Sequence, residues 1–394
     1  PHGELPVRVV HLMGRLSITG GVQVVVRQLA AAVDPNRVDL HIVTMRPRWD
    51  DLSEVPASLH ALGFDGSRYR LRDRISIIWK MARTVRRLRP DVVQVHSGMA
   101  WLGLLARVVS PRTAFALEVH DAPGSGRHGD WTDRVEGWCL KWLGMTAICH
   151  SSQVAAEVAT SSKAPRKRIR QFPLGTNTNT FQPVTSGLRE AWRADNSLGV
   201  DAIIAIAVGR PAKSKRFEDL IDAVLQANKM GAGLHLVLVG VREDPSLASH
   251  VRTHDIHGIV RLTGPMANSD LPLPLGSSDI LCSTSEYEGF GLTLIEGMAC
   301  ALPVIAMAVG GVTDIVVDGQ TGYLVPSGDT EAFAQRLNEL AQSTELRATV
   351  GAAGRERAQE LFSLNAMALS FTELYEELAG RGNRTIRSAI DANK

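Results

Sequence analysis

Ser285-Glu286-Tyr287-Glu288-Gly289-Phe290-Gly291-Leu292-Thr293-Leu294-Ile295-Glu296-Gly297-Met298-Ala299 follows a short apolar run, Ile280-Leu281-Cys282, and leads into helical spacing that stops before Pro303. The apolar run predicts a buried strand and Gly289-Phe290-Gly291 a turn, so strand, glycine loop and helix start come in direct succession. At such a start the first backbone N–H groups lack partners within the helix and gather around an anion, which suits a phosphate. Glu288 lies in the loop and Glu296 about one turn into the helix. The two carboxylates therefore straddle the phosphate position, as a long ligand with hydroxyls at both ends requires. The plainer alternative is an ordinary α/β connection with a glutamate favoured near the helix start by the macrodipole.

The same rhythm extends outward in both directions. Residues 7–12 read as a buried strand, followed by Ser17-Ile18-Thr19-Gly20-Gly21 and an amphipathic helix over 22–33. The paired glycines either let a ligand reach the backbone or make a tight turn. Further strands are predicted at 40–44, 91–96, 114–119 and 145–151. His120 stands at the carboxyl end of the 114–119 strand, where parallel sheets place ligand groups; a structural histidine is the alternative. After Pro183 the pattern restarts with a strand at 202–208 and the loop Gly209-Arg210-Pro211-Ala212-Lys213-Ser214-Lys215, then strands at 234–240, 259–264 and 304–306. The repeated β-α alternation predicts two parallel sheets. Arg210 and Lys215 share one loop before a helix, able to clamp two phosphates or simply to be solvated. The loop lacks the P-loop pattern.

Two motifs are set aside. Gly124-Ser125-Gly126-Arg127-His128-Gly129 fits the dinucleotide glycine pattern literally, but it follows a proline-containing loop instead of a strand and no acidic strand end comes after it. It reads better as a mobile acceptor loop. His254 and His257 have no further ligand nearby in the sequence and read as polar surface.

At 394 residues the chain suits two Rossmann-sized units of roughly 180 residues each. No apolar run approaches the length of a membrane span and the start lacks a signal-peptide pattern, which predicts a cytoplasmic protein. Cys139, Cys149, Cys282 and Cys300 show no metal-binding spacing and read as structural thiols, so no metal site is expected. The net charge of +2 conceals a basic first half, with about 25 Lys+Arg against about 15 Asp+Glu in residues 1–183. Residues 68–89 interleave arginines with aliphatics. This stripe either faces the core or makes a peripheral contact with an anionic membrane, on the inner face of a bacterial membrane given the arginine- and alanine-rich composition. Nucleic acid is disfavoured as a partner, and no oligomeric state is implied.

The Glu288–Glu296 spacing resembles the Glu-x7-Glu signature of the retaining, nucleotide-sugar-dependent glycosyltransferases of family 4 type with the GT-B fold. Several other words resemble the same family in the same order over roughly residues 7–378: Gly20-Gly21, Val119-His120-Asp121, Gly209-Arg210 with Lys215, and Phe181-Gln182-Pro183. The resemblance implies two Rossmann-like α/β domains, 1–183 on the acceptor side and 184–364 holding the nucleotide sugar, facing each other across a cleft. It also implies a crossover helix at 365–380 that returns to the first domain, before a disordered tail at 381–394.

Carried over by position, Gly20, Gly21, Arg210, Lys215, Gly291 and Leu292 would meet the donor diphosphate. His120, Glu288, Gly289 and Phe290 would meet the donor sugar, and Glu296 the ribose. His120 and Glu288 would be the catalytic pair. The donor would be a nucleoside diphosphate sugar and the acceptor a hydroxyl of a glycan, lipid or small molecule, with no cofactor and no metal. Two departures stand out. Leu174 and Asn177 replace the family's Asn and Asp in the interdomain word, and Arg216 replaces the Gly after the phosphate-binding lysine. The rival functions are a nucleotide-sugar epimerase or phosphorylase of similar fold, and a binding protein with degenerate catalysis.

Overall fold

The computed structural model describes residues 5–16, 21–47, 57–63, 71–97, 99–120, 130–241, 247 and 258–381. The chain divides into two compact units, Pro1–Pro173 with Asn365–Lys394, and Leu174–Leu364. The division precedes the expected boundary after residue 183 because the segment from Leu174 pairs with the second unit. Thr176 N–H donates to the Phe362 carbonyl at 2.9 Å, and Leu364 N–H to the Thr176 carbonyl at 2.8 Å.

In the first unit, β1 (Val7–Leu16), β2 (Val38–Pro47), β3 (Ser58–Ala61), β4 (Val92–His96), β5 (Ala114–Val119), β6 (Thr146–Cys149) and β7 (Ile169–Gln171) form one parallel sheet. Its order is β3-β2-β1-β4-β5-β6-β7. Helices α1 (Gly21–Ala32), α2 (Leu71–Leu88), α3 (Ala100–Val109), α4 (Asp130–Trp142) and α5 (Ser152–Ser162) connect the strands. Every residue of β4 and β6 is buried, as expected of strands covered on both faces, the polar Gln94, His96 and Thr146 included.

In the second unit, α6 (Ser186–Asp195) precedes β8 (Ile203–Val208), α7 (Phe217–Lys229), β9 (Leu234–Val239), β10 (Val260–Thr263), α8 (Pro272–Ser277) and β11 (Ile280–Ser283). Then come α9 (Leu292–Ala299), β12 (Val304–Met307), α10 (Val312–Ile315), β13 (Gly322–Val325), α11 (Thr330–Gln342) and α12 (Thr344–Leu361). The sheet order is β10-β9-β8-β11-β12-β13, parallel throughout. In both sheets the order reverses beside the first strand, and the strand ends at that reversal are where doubly wound sheets bind ligands. Arg193, almost wholly buried on α6, is satisfied by Asp279 at 2.8 Å and by the carbonyls of Ser277, Val200 and Ala202. Asp279 in turn accepts from Ile204 N–H, which ties the amino ends of β8 and β11 together.

The last helix, α13 (Leu364–Leu378), packs on the first sheet. Glu376 holds Arg37 through two hydrogen bonds of 2.8 and 2.9 Å, and Tyr375 is fully buried. Arg381 donates to the Leu5 carbonyl and pairs with Asp91 at 3.3 Å; residues 382–394 lie outside the described residues. All four cysteines are buried free thiols. Burial pushes Cys139, Cys149 and Cys300 up to about 12, which leaves them unreactive.

On α2, Ile77, Met81 and Val85 belong to the first unit's core. The aliphatic stripe is therefore internal. The exposed face carries Trp79 with the Arg83 guanidinium 5.3 Å from its ring, together with Arg86 and Arg87. Residues 68–70 lie outside the described residues, as do Gly20, the 124–129 glycine loop, His254 and His257.

Candidate active site

In the second unit the quoted stretch forms the connection from β11 to α9, at the carboxyl end of the sheet and beside the loop that leaves β8. The two loops are stitched together: Glu286 N–H donates to the Ser214 carbonyl at 2.8 Å, and Thr284 Oγ1 donates to the carbonyls of Lys215 and Arg216 at 3.0 and 2.9 Å. This brings Lys215 Nζ to 2.7 Å from Glu288 Oε2, with both side chains about three-quarters buried. The expected diphosphate cation and sugar carboxylate are therefore an ion pair. Arg210 is exposed on the same loop.

Gly291 caps α9 in a left-handed conformation at φ 113°, so the helix begins at Leu292 directly behind Glu288, Gly289 and Phe290. Its first N–H groups have no intrahelical acceptor. Phe290 is buried and meets Phe362 edge-on, with ring centroids 6.1 Å apart. Arg216, also left-handed at φ 49°, closes the Lys213–Lys215 turn and pairs with Asp219 at 2.6 Å. Its charge is thereby balanced locally.

Glu296 is buried on α9 and accepts from Asn268 Nδ2 at 2.7 Å. Burial pushes its carboxyl up to about 7, against the opposing pull of the Asn268 amide. A carboxyl in that state ionises within the physiological range, and ribose hydroxyls, which donate, would favour the ionised form. Its proton is held more tightly in the folded chain than in the unfolded one. The stabilisation this represents is complete below the unfolded value of about 4.5 and is lost as pH rises through about 7. Donor binding runs the other way: affinity should rise with pH up to about 7 and then level off, and Glu296→Gln should flatten that profile. Isothermal titration of a nucleotide sugar between pH 5.5 and 8.5 checks this, and a flat wild-type profile would exclude ionisation of Glu296 from binding.

Three supports of this site were not among the expected site residues, although Gly310-Gly311-Val312 resembles one of the family's closing turns. A Cβ on Gly310 would stand 1.8 Å from the Glu288 carbonyl oxygen, and one on Gly311 2.6 Å from Phe290 Cα. Gly311 N–H donates to that same Glu288 carbonyl at 2.9 Å. The 309–312 turn thus fits against the Glu288 loop only because both residues lack side chains. Asn268, the third, lies 28 positions from the carboxylate it meets.

In the first unit His120 is half-buried at the end of β5. Its N–H donates to Ser97 Oγ at 3.2 Å, and its Nε2 lies 3.1 Å from His96 Nδ1. His96 pairs in register with Glu118 on the neighbouring strand. Glu118 is buried; its carboxylate lies 3.2 Å from His96 Nδ1, 2.9 Å from His150 Nε2 and 3.8 Å from His120 Nε2, and it accepts from the Gln94 amide. Burial alone would raise Glu118, but the imidazoles of His96, His120 and His150 outweigh it and hold the carboxyl well below its usual range. Burial lowers His11 and His96 to about 4. Tyr375 gives its hydroxyl hydrogen to Gln94 Oε1, so His11 Nε2 must be the donor in its 2.8 Å contact with Tyr375. Of this cluster only His120 was expected; Gln94-Val95-His96 and Glu118-Val119-His120, each an acidic or amide residue two before a histidine, were the available signal. Gly21 is exposed at the start of α1.

Residues 19–180 match the family described as Glycosyltransferase Family 4, and residues 189–357 match Glycosyl transferases group 1. The chain has the GT-B fold, and each of its halves matches a glycosyltransferase family model. It is similar to a D-inositol 3-phosphate glycosyltransferase of Streptomyces avermitilis, 29% identical over 251 residues that cover 61% of this chain and 53% of that protein. The chain spans about half the length of the first curated relatives it matches. Among solved structures, sucrose-phosphate synthase of Thermosynechococcus elongatus is 26% identical with a TM-score of 0.81, covering 95% of this chain and 99% of that one. HepE of Anabaena, solved with UDP-glucose, superimposes at a TM-score of 0.80 over 94% and 99% of the two chains. At 17% identity that likeness speaks for the GT-B fold alone.

Proposed function

We propose that this GT-B glycosyltransferase moves a hexosyl group from a nucleoside diphosphate sugar to an acceptor hydroxyl, with retention at the anomeric carbon. The observation that carries the reading is the Lys215–Glu288 ion pair at the start of α9, with buried Glu296 further along the same helix. Transfer develops positive charge on the sugar ring and negative charge on the leaving diphosphate. Glu288 answers the first charge; Lys215, Arg210 and the amides at Gly291 and Leu292 answer the second with groups already in place, the arrangement that contributes most to lowering such barriers. Glu296 takes the ribose, and His120 the donor sugar. The name of the inositol-phosphate relative, that of sucrose-phosphate synthase, and the basic balance of residues 1–183 together favour a small phosphorylated polyol or sugar as the acceptor. Incubation with nucleotide sugars alone and then with a pool of phosphorylated acceptors, read by mass spectrometry, tests this. Epimerised donor, or binding without turnover, would replace transfer with one of the rival functions.

With a lysine, an arginine and helix amides at the leaving group, catalysis should need no divalent cation there. Treatment with EDTA should leave the rate unchanged; inactivation reversed by Mn²⁺ or Mg²⁺ would refute this. Peripheral membrane contact, if made through α2, falls to Trp79 and its basic neighbours. Each basic residue near an anionic surface contributes about 1 kcal/mol, so flotation with phosphatidylglycerol vesicles at low salt should exceed that with neutral vesicles and fall for Trp79→Ala. Equal flotation on both vesicle types would remove the membrane from the protein's partners.

A further inference from the structure

The histidine at the end of β5 has its proton placed by the residues behind it. His120 Nε2 lies 3.1 Å from His96 Nδ1, the two rings are parallel to within 3°, and their centroids are 5.4 Å apart. At those distances both nitrogens fall close to the line joining the ring centres, so each points at the other. One proton lies between them, and the surrounding hydrogen bonds decide which ring carries it.

Glu118 makes that choice. Its Oε1 faces His150 Nε2 at 2.9 Å, and its Oε2 accepts from the Gln94 amide, whose own carbonyl oxygen is taken by the Tyr375 hydroxyl. Oε2 is thus an acceptor, and it lies 3.2 Å from His96 Nδ1, the same nitrogen that faces His120. A proton at Nδ1 is attracted by the carboxylate, whereas a lone pair there would be set against it. The other nitrogen of His96, Nε2, is buried and has no partner among the described residues. A proton on Nε2 would be an orphaned N–H in a dry interior, a rarer and costlier defect than an unused lone pair. Burial lowers His96 to about 4, so near neutral pH its ring carries a single proton. That proton belongs on Nδ1.

We propose that Glu118, acting through His96, is a positioning residue that fixes His120 as its Nδ1–H tautomer. His96 donates, His120 Nε2 accepts, and the one proton of a neutral His120 is left on Nδ1, the nitrogen turned away from His96. The consequence for catalysis rests on the proposed function: with His120 at the donor sugar, its ring can donate a hydrogen bond to a sugar oxygen but has no spare lone pair with which to take a proton from the acceptor. Glu118 and His96 touch no substrate in this scheme; they set what His120 can do.

The test reads the tautomer directly and needs no substrate. Protein labelled with ¹⁵N in its histidines is studied at about pH 8.5, well above the ordinary imidazole value of about 6.5, by long-range ¹H–¹⁵N correlation, which separates a protonated ring nitrogen from a bare one. The set of signals missing from folded His120→Ala is that of His120. We expect its Nδ1 protonated and its Nε2 bare, the reverse of the form that a neutral imidazole side chain favours in water. His96→Phe occupies about the same space and removes the donor, so that Glu118 Oε1, 3.8 Å away, is left facing His120 Nε2; the proton should then move to Nε2. A proton on His120 Nε2 in wild type, or an unchanged His120 pattern in folded His96→Phe, overturns the proposal. The wild-type spectrum decides the matter alone if His96→Phe does not fold. Kinetics separate this proposal from the transfer reading: His96→Phe should lower kcat by about 10-fold with KM little changed, the loss of one neutral hydrogen bond in the transition state. A switched tautomer with unchanged kcat would uphold the positioning by Glu118 and remove His120 from the reaction.

Discussion

Gly310→Ala should destabilise the second unit far more than Gly319→Ala, although both glycines have left-handed backbones at φ 53° and 72°. At Gly319 an added Cβ meets nothing within 4 Å, so the substitution carries only the conformational penalty of roughly 1–2 kcal/mol. At Gly310 the same Cβ would stand 1.8 Å from the Glu288 carbonyl oxygen. Backbone cannot rotate away as a side chain can. Relieving the overlap adds about 1–3 kcal/mol of packing strain and displaces the loop that carries Glu288. For a unit of this size each kcal/mol lowers the melting temperature by about 2–4 °C. Calorimetry of the two variants separates the terms, since their difference is the contact with Glu288. Activity should follow the same order, with Gly310→Ala losing turnover through a misplaced Glu288 and Gly319→Ala near wild type. Equal melting temperatures for the two would mean that the 309–312 turn does not hold the Glu288 loop.

That contact shows where sequence reading stops. The strands were legible because parallel strands buried on both faces are often written as unbroken apolar runs, Ile203–Val208 and Val304–Met307 among them. The β8 and β11 loops were legible because the residues that bear charge, Arg210, Lys215, Glu288 and Glu296, sit beside the glycines and helix starts that give them a chemical reason. What was not legible is pairing between distant segments. Lys215 meets Glu288 across 73 positions, and Tyr375 meets Gln94 across 281. Neither has any local periodicity to mark it. The stripe on α2 was ambiguous for a related reason: spacing showed that Ile77, Met81 and Val85 share a face, but only packing shows that this face is the core.

The charge pairing sharpens what the two glutamates should do when changed. Glu296 is buried and held by Asn268; its contacts with ribose hydroxyls would be much the same in ground and transition states. Glu296→Ala should therefore mainly raise the donor KM, by about 1–3 kcal/mol of lost charged hydrogen bonding. Glu288 is about three-quarters buried and already opposite Lys215 at 2.7 Å. As the anomeric carbon became positive and the diphosphate negative, Lys215 would be drawn toward the phosphate and Glu288 toward the ring, so that on the proposed reading interactions with both charges would strengthen in the transition state. Glu288→Gln keeps the shape, removes the charge, and should lower kcat more than it raises KM. His120→Ala should behave like Glu288→Gln if its role is at the donor sugar. Lys215→Met offers the cross-check: it strips the partner from Glu288, and the double variant with Glu288→Gln should lose less than the two single losses combined, because the residues act as one unit. Steady-state kinetics with saturable donor decide the matter. Glu296→Ala losing kcat at unchanged KM while Glu288→Gln does the reverse would place the donor in the opposite orientation, with its sugar at Glu296.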